Sequence, residues 1–465
     1  MKFTDRYAKG FSHLLPTPFT IAIFLTVVVF AIAFFYTNGE SSVAKQLFNL
    51  ANQWEKGLWN GPLMVFAMQM MLMLVLGHVL ALSPPVNAFI EWLIKDVRST
   101  SKAAYVVSLT TIIVSLFNWG LGLIYGAIIC RKIGEQSLKH NWNINYPLIG
   151  ASAYVGLMVW HGGLSGSSLV KVAEDRHLHS MMTGIVSENK MMLLPEKIEL
   201  GETVFSAMNI YATLMLIIIV PIVVYLIGLK KEEGNSIPVH IKTKKIHIEE
   251  KHNLYGAERL DHSKLMSKFL GCFIIVYLLF SVILNERVSG LSFITPNFIN
   301  LSLFSLGILF HKNFRGFLNA IDEAIGGTAG ILIQFPLYFG IMGIMKSSGL
   351  VTAMSDFFIA ISSSMTFPIY TLISAGVVNI FVPSGGGQWA IQGPILIQTA
   401  LEMNVPLSKA ILSLAYGDQL TNMLQPFWAL PLLGITKLKA KDILPYTLLL
   451  MLIGLLIYAS ALLLF

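Results

Sequence analysis

The chain has 465 residues, of which 55% are hydrophobic and only 12% charged, and its mean hydropathy is +0.69. That balance excludes a soluble globular domain and a disordered chain, and several apolar runs of about 20 residues match the length a helix needs to cross ~30 Å of hydrocarbon. The two cysteines make no disulfide framework or metal cluster, and the net charge of +7 follows the apolar runs instead of forming a nucleic-acid footprint.

Lys2, Arg6 and Lys9 precede a first predicted span at 17–37, too long for a signal-peptide core and without a convincing cleavage site. Residues 38–60 read as a surface helix, with Leu47, Leu50, Trp54 and Leu58 at helical spacing. A second span, 62–83, ends at Pro84-Pro85, and Lys95, Arg98 and Lys102 follow it. The stretch 103–130 breaks at Asn118-Trp-Gly-Leu-Gly122 and has basic residues at both ends, which places both ends on one side. Legs of about 14 residues reach ~21 Å, so the spacing predicts a re-entrant hairpin with its tip near the midplane.

Residues 147–170 then cross, interrupted by Trp160-His-Gly-Gly-Leu-Ser-Gly-Ser-Ser168. The loop 171–202 carries six acids against four bases, and a span at 203–229 returns. Residues 230–268, with nine lysines and arginines, read as a cytoplasmic linker between two halves, 1–229 and 269–465. Further spans follow at 269–285, 293–310 and 325–345. A second hairpin covers 367–402, around Asn379-Ile-Phe-Val-Pro-Ser-Gly-Gly-Gly-Gln-Trp-Ala-Ile-Gln-Gly-Pro394. A second broken crossing after Pro406 contains Gly417-Asp-Gln-Leu-Thr-Asn-Met-Leu-Gln-Pro426, and the last span is 443–465.

With the N-terminus in the cytoplasm and the C-terminus outside, 23 of the 32 lysines and arginines fall on the cytoplasmic side. The second half repeats the first after one additional span, so the hairpins enter from opposite faces. Gln69 and Gln334 each fall eight residues after a glycine, Asn118 and Asn379 open the hairpin tips, and Pro147 and Pro406 open the broken crossings. The fold class read from this pattern is an all-α polytopic membrane protein, an inverted-repeat secondary transporter with re-entrant hairpins and discontinuous helices.

Irregular backbone survives in hydrocarbon only where it is buried in protein or lines a wet cavity. The two tips and two breaks therefore delimit a site. Ser384 to Gly387 is a run that does not hold a helix by itself, and a helix restarting beyond it aims bare amides at an anion. The substrate-binding candidates are Asn118, Gly120, Gly122, Ser165, Gly166, Ser167, Ser384, Gly385, Gly386, Gly387, Gln388, Asn422 and Gln425. No arginine lies in the four walls, which disfavours a dicarboxylate or phosphate and suits a single carboxylate. Trp160, Trp389, Phe427 and Trp428 are candidates to enclose a short apolar tail. Asp418 is the sole acid in the walls; as a coupling-ion group with Asn118, Asn379 and Thr421 it reads equally as a cation (sodium) ligand or a proton carrier. No other metal and no cofactor is implied. His161 titrates near neutrality when unperturbed, and a buried histidine held by one partner is the competing reading. Gln69 and Gln334 divide between site and interhelical glue.

Val382-Pro-Ser-Gly-Gly-Gly-Gln-Trp389 with Ile391-Gln-Gly-Pro394, Ala415-Tyr-Gly-Asp-Gln419 with Asn422, and Gln425-Pro-Phe-Trp-Ala-Leu-Pro431 resemble the bacterial short-chain fatty acid transporter family, within the ion transporter superfamily. So do Asn118-Trp-Gly-Leu-Gly122, Gly163-Leu-Ser-Gly166 and Phe66-Ala-Met-Gln-Met70. The resemblance implies a carrier, not an enzyme, of acetoacetate, butyrate and similar monocarboxylates in the bacterial inner membrane. It also implies ion coupling and a homodimer with a moving transport domain on a static scaffold, an elevator. Three positions depart from the family pattern: Gln388 where histidine is common, Asp418 where glutamate is, and His161 where glycine is.

Overall fold

A computed structural model describes residues 16–37, 42–183, 187–229, 256–284, 293 and 295–465, and every regular element among them is helical. The basic residues 2–9 and most of the predicted linker, 230–255, lie outside the described residues. Seven helices among the described residues are long and apolar enough to cross a membrane.

The first helices are α1 (Pro18–Tyr36), α2 (Val43–Leu58), α3 (Gly61–Leu82) and α4 (Pro84–Ile94). Pro84 both ends α3 and opens α4, a position where its missing N–H costs nothing. The predicted surface helix is α2, but its inner face is Gln46, Leu50, Trp54 and Gly57, while Leu47 stays exposed. The reason is tight helix packing. Gly57 lies against the backbone of Phe339 and Gly340.

Helices α5 (Thr100–Phe117) and α6 (Trp119–His140) form the first hairpin, packed along each other and separated by Asn118 alone. Both legs exceed the predicted 14 residues because polar turns bearing Lys102, Arg131, Lys132, Glu135 and Lys139 continue the helices beyond the apolar part. The first broken crossing is α7 (Tyr146–Tyr154), two 3₁₀ turns (Val155–Met158 and Trp160–Gly162) and α8 (Ser167–Lys171). Its helix ends six residues earlier than the motif suggests. Helix α9 (Ala207–Gly228) packs on α5.

Then follow α10 (Lys264–Ile283), α11 (Pro296–Phe310), α12 (Phe314–Ala324), α13 (Ala329–Ser347) and α14 (Leu350–Ala360). Helix α10 begins inside the predicted linker, where Ser263 accepts the N–H of Met266 as an N-cap. The second hairpin, α15 (Phe367–Phe381) and α16 (Gly385–Glu402), keeps the predicted bounds. The second broken crossing is α17 (Leu407–Thr421), a 3₁₀ turn (Asn422–Leu424) and α18 (Pro426–Thr436), and α19 (Ala440–Leu464) closes the chain.

Long-range contacts orient these pieces. Arg131 pairs with Glu323 and reaches the carbonyl of Ile435, and Asn145 bonds Tyr446, which gathers the open end of the first hairpin with the start of one crossing and the end of the other. Lys190 pairs with Glu402, and Trp389 bonds His177, which gathers the opposite crossing ends with the second hairpin. The hairpins therefore open in opposite directions, and both crossings run between them. Helices α5–α9 and α15–α19 pack as one bundle, against which α1–α3 and α10–α13 lie as an outer group.

Candidate functional site

Each hairpin tip is built on a side-chain cap. Asn118 adopts an extended backbone, and its Oδ1 accepts the N–H of Leu121 at 3.0 Å, opening α6. Ser384 does the same for α16, its Oγ accepting the N–H of Gly387 at 3.2 Å. Gly385 to Gly387 are thus the first turn of α16, against the expectation of a non-helical run. A cap offsets what three glycines cost in backbone entropy. The tip counterpart of Asn118 is Ser384; Asn379 sits inside α15.

Both tips abut the first break. The N–H of Trp119 donates to Ser165 Oγ at 3.0 Å, and that of Leu164 to the carbonyl of Leu116 at 2.8 Å. A Cβ on Gly163 would stand 2.2 Å from that carbonyl, so only glycine permits the approach. From the other side, a Cβ on Gly385 would meet Trp160 Cη2 at 2.9 Å, Ser167 Oγ at 3.0 Å and His161 Cε1 at 3.1 Å. Ser167 and the Ser384–Gly386 tip therefore converge on Trp160 and His161, while Ser165 holds the other tip through Trp119. The N–H groups of Gly385 and Gly386 have no partner among the described residues, and Gly386 is exposed. Gly120, Gly122 and Gly166 are instead packed, against Met73, Ser115 and the His161 carbonyl.

The breaks satisfy one another's backbone, as burial demands. Gln419 Oε1 accepts from the main-chain N–H of His161 (2.8 Å) and Gly162 (3.3 Å), while Gln419 Nε2 donates to Tyr458 Oη. Tyr458 in turn donates to the carbonyl of Met158 at 2.6 Å, and Asn209 donates to that of Gly162 at 2.8 Å. In return, Tyr154 Oη lies 2.9 and 3.0 Å from the carbonyls of Asn422 and Gln425, and Asn422 Nδ2 donates to Leu157.

Asn379 Nδ2 donates to the main-chain oxygen of Asp418 at 2.6 Å, to Asn422 Oδ1 at 2.8 Å and to Thr421 Oγ1 at 3.0 Å. A main-chain oxygen only accepts, so the amide nitrogen is the end that faces Asp418. Thr421 donates to the carbonyl of Gly376, and Gln425 Nε2 donates to that of Asn379. Of the four coupling-ion candidates, Asn379, Asp418 and Thr421 thus meet, while Asn118 shares no hydrogen bond with them. Gln388 Nε2 donates to Ala375 O and Gln392 Oε1, one turn inside α16.

Asp418 and His161 are buried, 1% and 0% exposed, with Asp418 Oδ2 3.4 Å from His161 Nδ1. The main-chain N–H of Ser168 points at His161 Nε2, 3.1 Å away. The ring of His161 stacks on Trp160 at a centroid distance of 4.5 Å. From Trp160 an aromatic row continues through Trp119 (5.9 Å), Trp428 (5.1 Å from Trp119) and Phe427 (4.9 Å from Trp428). Trp389 does not join this row. Its Nε1 donates to His177 Nε2 at 3.0 Å, tying α16 to the loop after the first crossing.

A family model described as short chain fatty acid transporter matches residues 1–465. The chain belongs to the short-chain fatty acid transporter family. It is 33% identical over 447 residues to a provisionally assigned short-chain fatty acid transporter of Escherichia coli strain K12, covering 96% of this chain and 94% of that one. A Haemophilus influenzae protein of the same description is 34% identical over 439 residues, covering 94% and 93%. Among solved structures, the Alcanivorax borkumensis YdaH transporter is similar at TM-score 0.47 and 13% identity, over 96% of this chain and 98% of that one. The Neisseria gonorrhoeae antimetabolite efflux pump MtrF is similar at 0.46 and 14%, over 98% and 97%.

Members of the family are transporters, not enzymes, and this chain is a multi-pass membrane protein of that family. Sequence reasoning about this transporter missed the residues that hold the breaks: Gln419, Tyr154, Tyr458 and Asn209. A second polar residue directly after Asp418 inside an apolar helix is a signal for Gln419; nothing local marks the tyrosines. Gln69 is interhelical glue, donating to Asn297 on α11.

Proposed function

We propose that the protein is a secondary active transporter of short-chain monocarboxylates such as butyrate and acetoacetate, coupled to an ion gradient. The carboxylate is held by the first-turn N–H groups of Gly385 and Gly386 with the hydroxyls of Ser165 and Ser167. The apolar tail lies against Trp160, Trp119 and Trp428. The observation that carries this reading is the meeting of both hairpin tips at one break, where unpaired amides, hydroxyls and an aromatic row converge. Helix N-termini favour an anion, and hydroxyl donors without a fixed guanidinium suit one carboxylate better than two.

In this reading the hairpins are re-entrant and their tips meet inside the inner membrane, with the N-terminus cytoplasmic and the C-terminus periplasmic. The bundle α5–α9 with α15–α19 is the moving part of an elevator, and the outer group is its scaffold in a homodimer. The packing of helices into those two groups supports the division. The test is counterflow in proteoliposomes with radiolabelled butyrate, with and without imposed ion gradients. Gradient-driven accumulation is the expected result. Flux indifferent to every gradient would recast the protein as a passive anion pathway. Absence of counterflow for butyrate but not for hydroxy or amino acids would move the substrate to another small carboxylate.

A further inference from the structure

We infer that the His161–Asp418 pair is a proton site, and that one proton taken there accompanies each monocarboxylate, making the cycle electroneutral. The inference deepens the transport reading above and rests on it.

The geometry fixes the proton inventory. The main-chain N–H of Ser168 is a donor under all conditions, so His161 Nε2, which it faces at 3.1 Å, is the lone-pair nitrogen. A neutral ring then carries its hydrogen on Nδ1, and Nδ1 is the atom 3.4 Å from Asp418 Oδ2. Both atoms are buried, and neither makes a hydrogen bond, so the 3.4 Å approach is a charge contact and each atom keeps a free hydrogen-bonding capacity. With a neutral imidazole and an ionised carboxyl the pair holds one uncompensated negative charge, an expensive state inside protein.

No described cation offsets that charge. On the elements packed against α17, the titratable and charged groups are Lys171 of α8, Tyr370 of α15, Glu402 of α16, and Lys441, Asp442, Tyr446 and Tyr458 of α19; α17 itself adds Lys409 and Tyr416. Lys171 pairs with Glu174, Glu402 with Lys190, and Tyr458 bonds Met158 and Gln419. None forms an ion pair with Asp418. Asp418 Oδ2 faces the Nδ1 side of His161, which disfavours a metal cation at that oxygen, and Asn379 turns its amide nitrogen toward the main chain of Asp418. A proton meets neither obstacle. It adds to the carboxylate, the Ser168 bond is kept, and the charge of the pair goes from minus one to zero.

The same geometry couples that step to substrate. His161 Cε1 lies 3.1 Å from where a Cβ on Gly385 would stand, so a carboxylate on the Gly385 amide is one imidazole away from Asp418. Two like charges that close lower affinity by about tenfold or more. Protonation removes the repulsion, and by linkage a bound monocarboxylate raises proton affinity by the same factor.

The test is calorimetric titration of the purified full-length protein with butyrate, in sodium-free buffers of different protonation heat. This counts protons taken up per butyrate without a membrane that the free acid can permeate. Near one proton per butyrate is expected, with no gain on adding sodium. Asp418→Asn removes the proton uptake and the pH dependence of butyrate affinity, and Asp418→Glu restores both. His161→Phe shifts the pH profile, whereas loss of a purely structural role would lower affinity equally at every pH. Butyrate binding by wild-type protein without proton uptake, or binding that requires sodium, overturns the proton site and leaves the transport reading standing. If folded wild-type protein binds neither butyrate, acetate nor acetoacetate, both fall. The wild-type proton count decides the matter even where Asp418→Asn does not fold.

Discussion

Gln419 Oε1 accepts the main-chain N–H of His161 at 2.8 Å and of Gly162 at 3.3 Å, so one amide from the second crossing holds two donors of the first. Gln419→Leu leaves the His161 N–H unsatisfied in a buried place, at about 1–3 kcal/mol, while the Gly162 N–H keeps the Val159 carbonyl at 3.2 Å. A marked fall in the thermal midpoint of detergent-purified protein is expected, with Gln419→Glu milder because it keeps the acceptor. An unchanged midpoint for Gln419→Leu would mean that the break is held by other means.

The first two glycines of α16 differ in surroundings and therefore in tolerance: Gly385 is buried and Gly386 exposed. A Cβ at Gly385 stands 2.9 Å from Trp160 Cη2, whereas one at Gly386 meets only Ser167 Oγ, at 4.0 Å. Gly385→Ala should weaken butyrate binding tenfold or more, by roughly 1.4 kcal/mol, and Gly386→Ala much less. Equal losses in a binding titration would place the carboxylate elsewhere.

Ser384 combines a cap with proximity to the anion site, and two substitutions separate the roles. Ser384→Asn keeps an N-cap acceptor, worth about 1 kcal/mol over alanine, and should retain binding. Ser384→Asp also caps α16 but brings a negative charge beside the amides of Gly385 and Gly386. It should preserve the thermal midpoint and lose affinity for monocarboxylates, measured on the same preparation.

Protonation of His177 breaks its bond from Trp389, because an indole N–H only donates and Nε2 must accept. Burial holds the imidazole below its ordinary value of 6.5, Glu174 acting against that and Lys171 with it. The sign follows. Above 6.5 the ring is neutral in folded and unfolded chain alike; as pH falls below 6.5 the unfolded chain takes the proton first, and the contact loses stability down to the folded-state value. Relative to the intrinsic base-catalysed rate at each pH, hydrogen exchange of the segment 171–183 should become less protected from about pH 7.5 to about 5.5 in wild-type protein. In Trp389→Phe it should be fast at both. A pH-independent wild type would show that the contact does not anchor the loop.

Much of the fold was legible from punctuation. The second hairpin kept its bounds of 367–402 because Pro368 opens one leg and Glu402 with Asn404 closes the other. The first turn reads in the sequence as a break over Asn118–Gly122, whereas the helix restarts at Trp119 because the Asn118 side chain caps it. Helices α4 and α14 were passed over because neither is long enough to span. The first turn of α16 was misjudged because glycine propensity is local and the Ser384 cap is a matter of geometry. Trp389 was assigned to the tail pocket on sequence proximity alone, but a residue four beyond Gly385 lies one turn up the helix, where it meets His177. Gln419 was out of reach for a different reason. Its acceptor oxygen is 258 and 257 residues away in sequence from the two donors it serves, and no local pattern encodes that.

The mutual bonding of the two breaks sets where the molecule can yield. Separating the crossings would strip hydrogen bonds from Leu157, His161, Asn422 and Gln425 together. Toward the outer helices the facing groups are of another kind: Met73 against Gly120, Phe66 against Trp428, Phe335 against Phe427. Such surfaces exchange one apolar neighbour for another as they slip, with few directional bonds to rupture. The polar interior is cross-bonded into one block, and the aromatic border is where the elevator motion proposed above would slip.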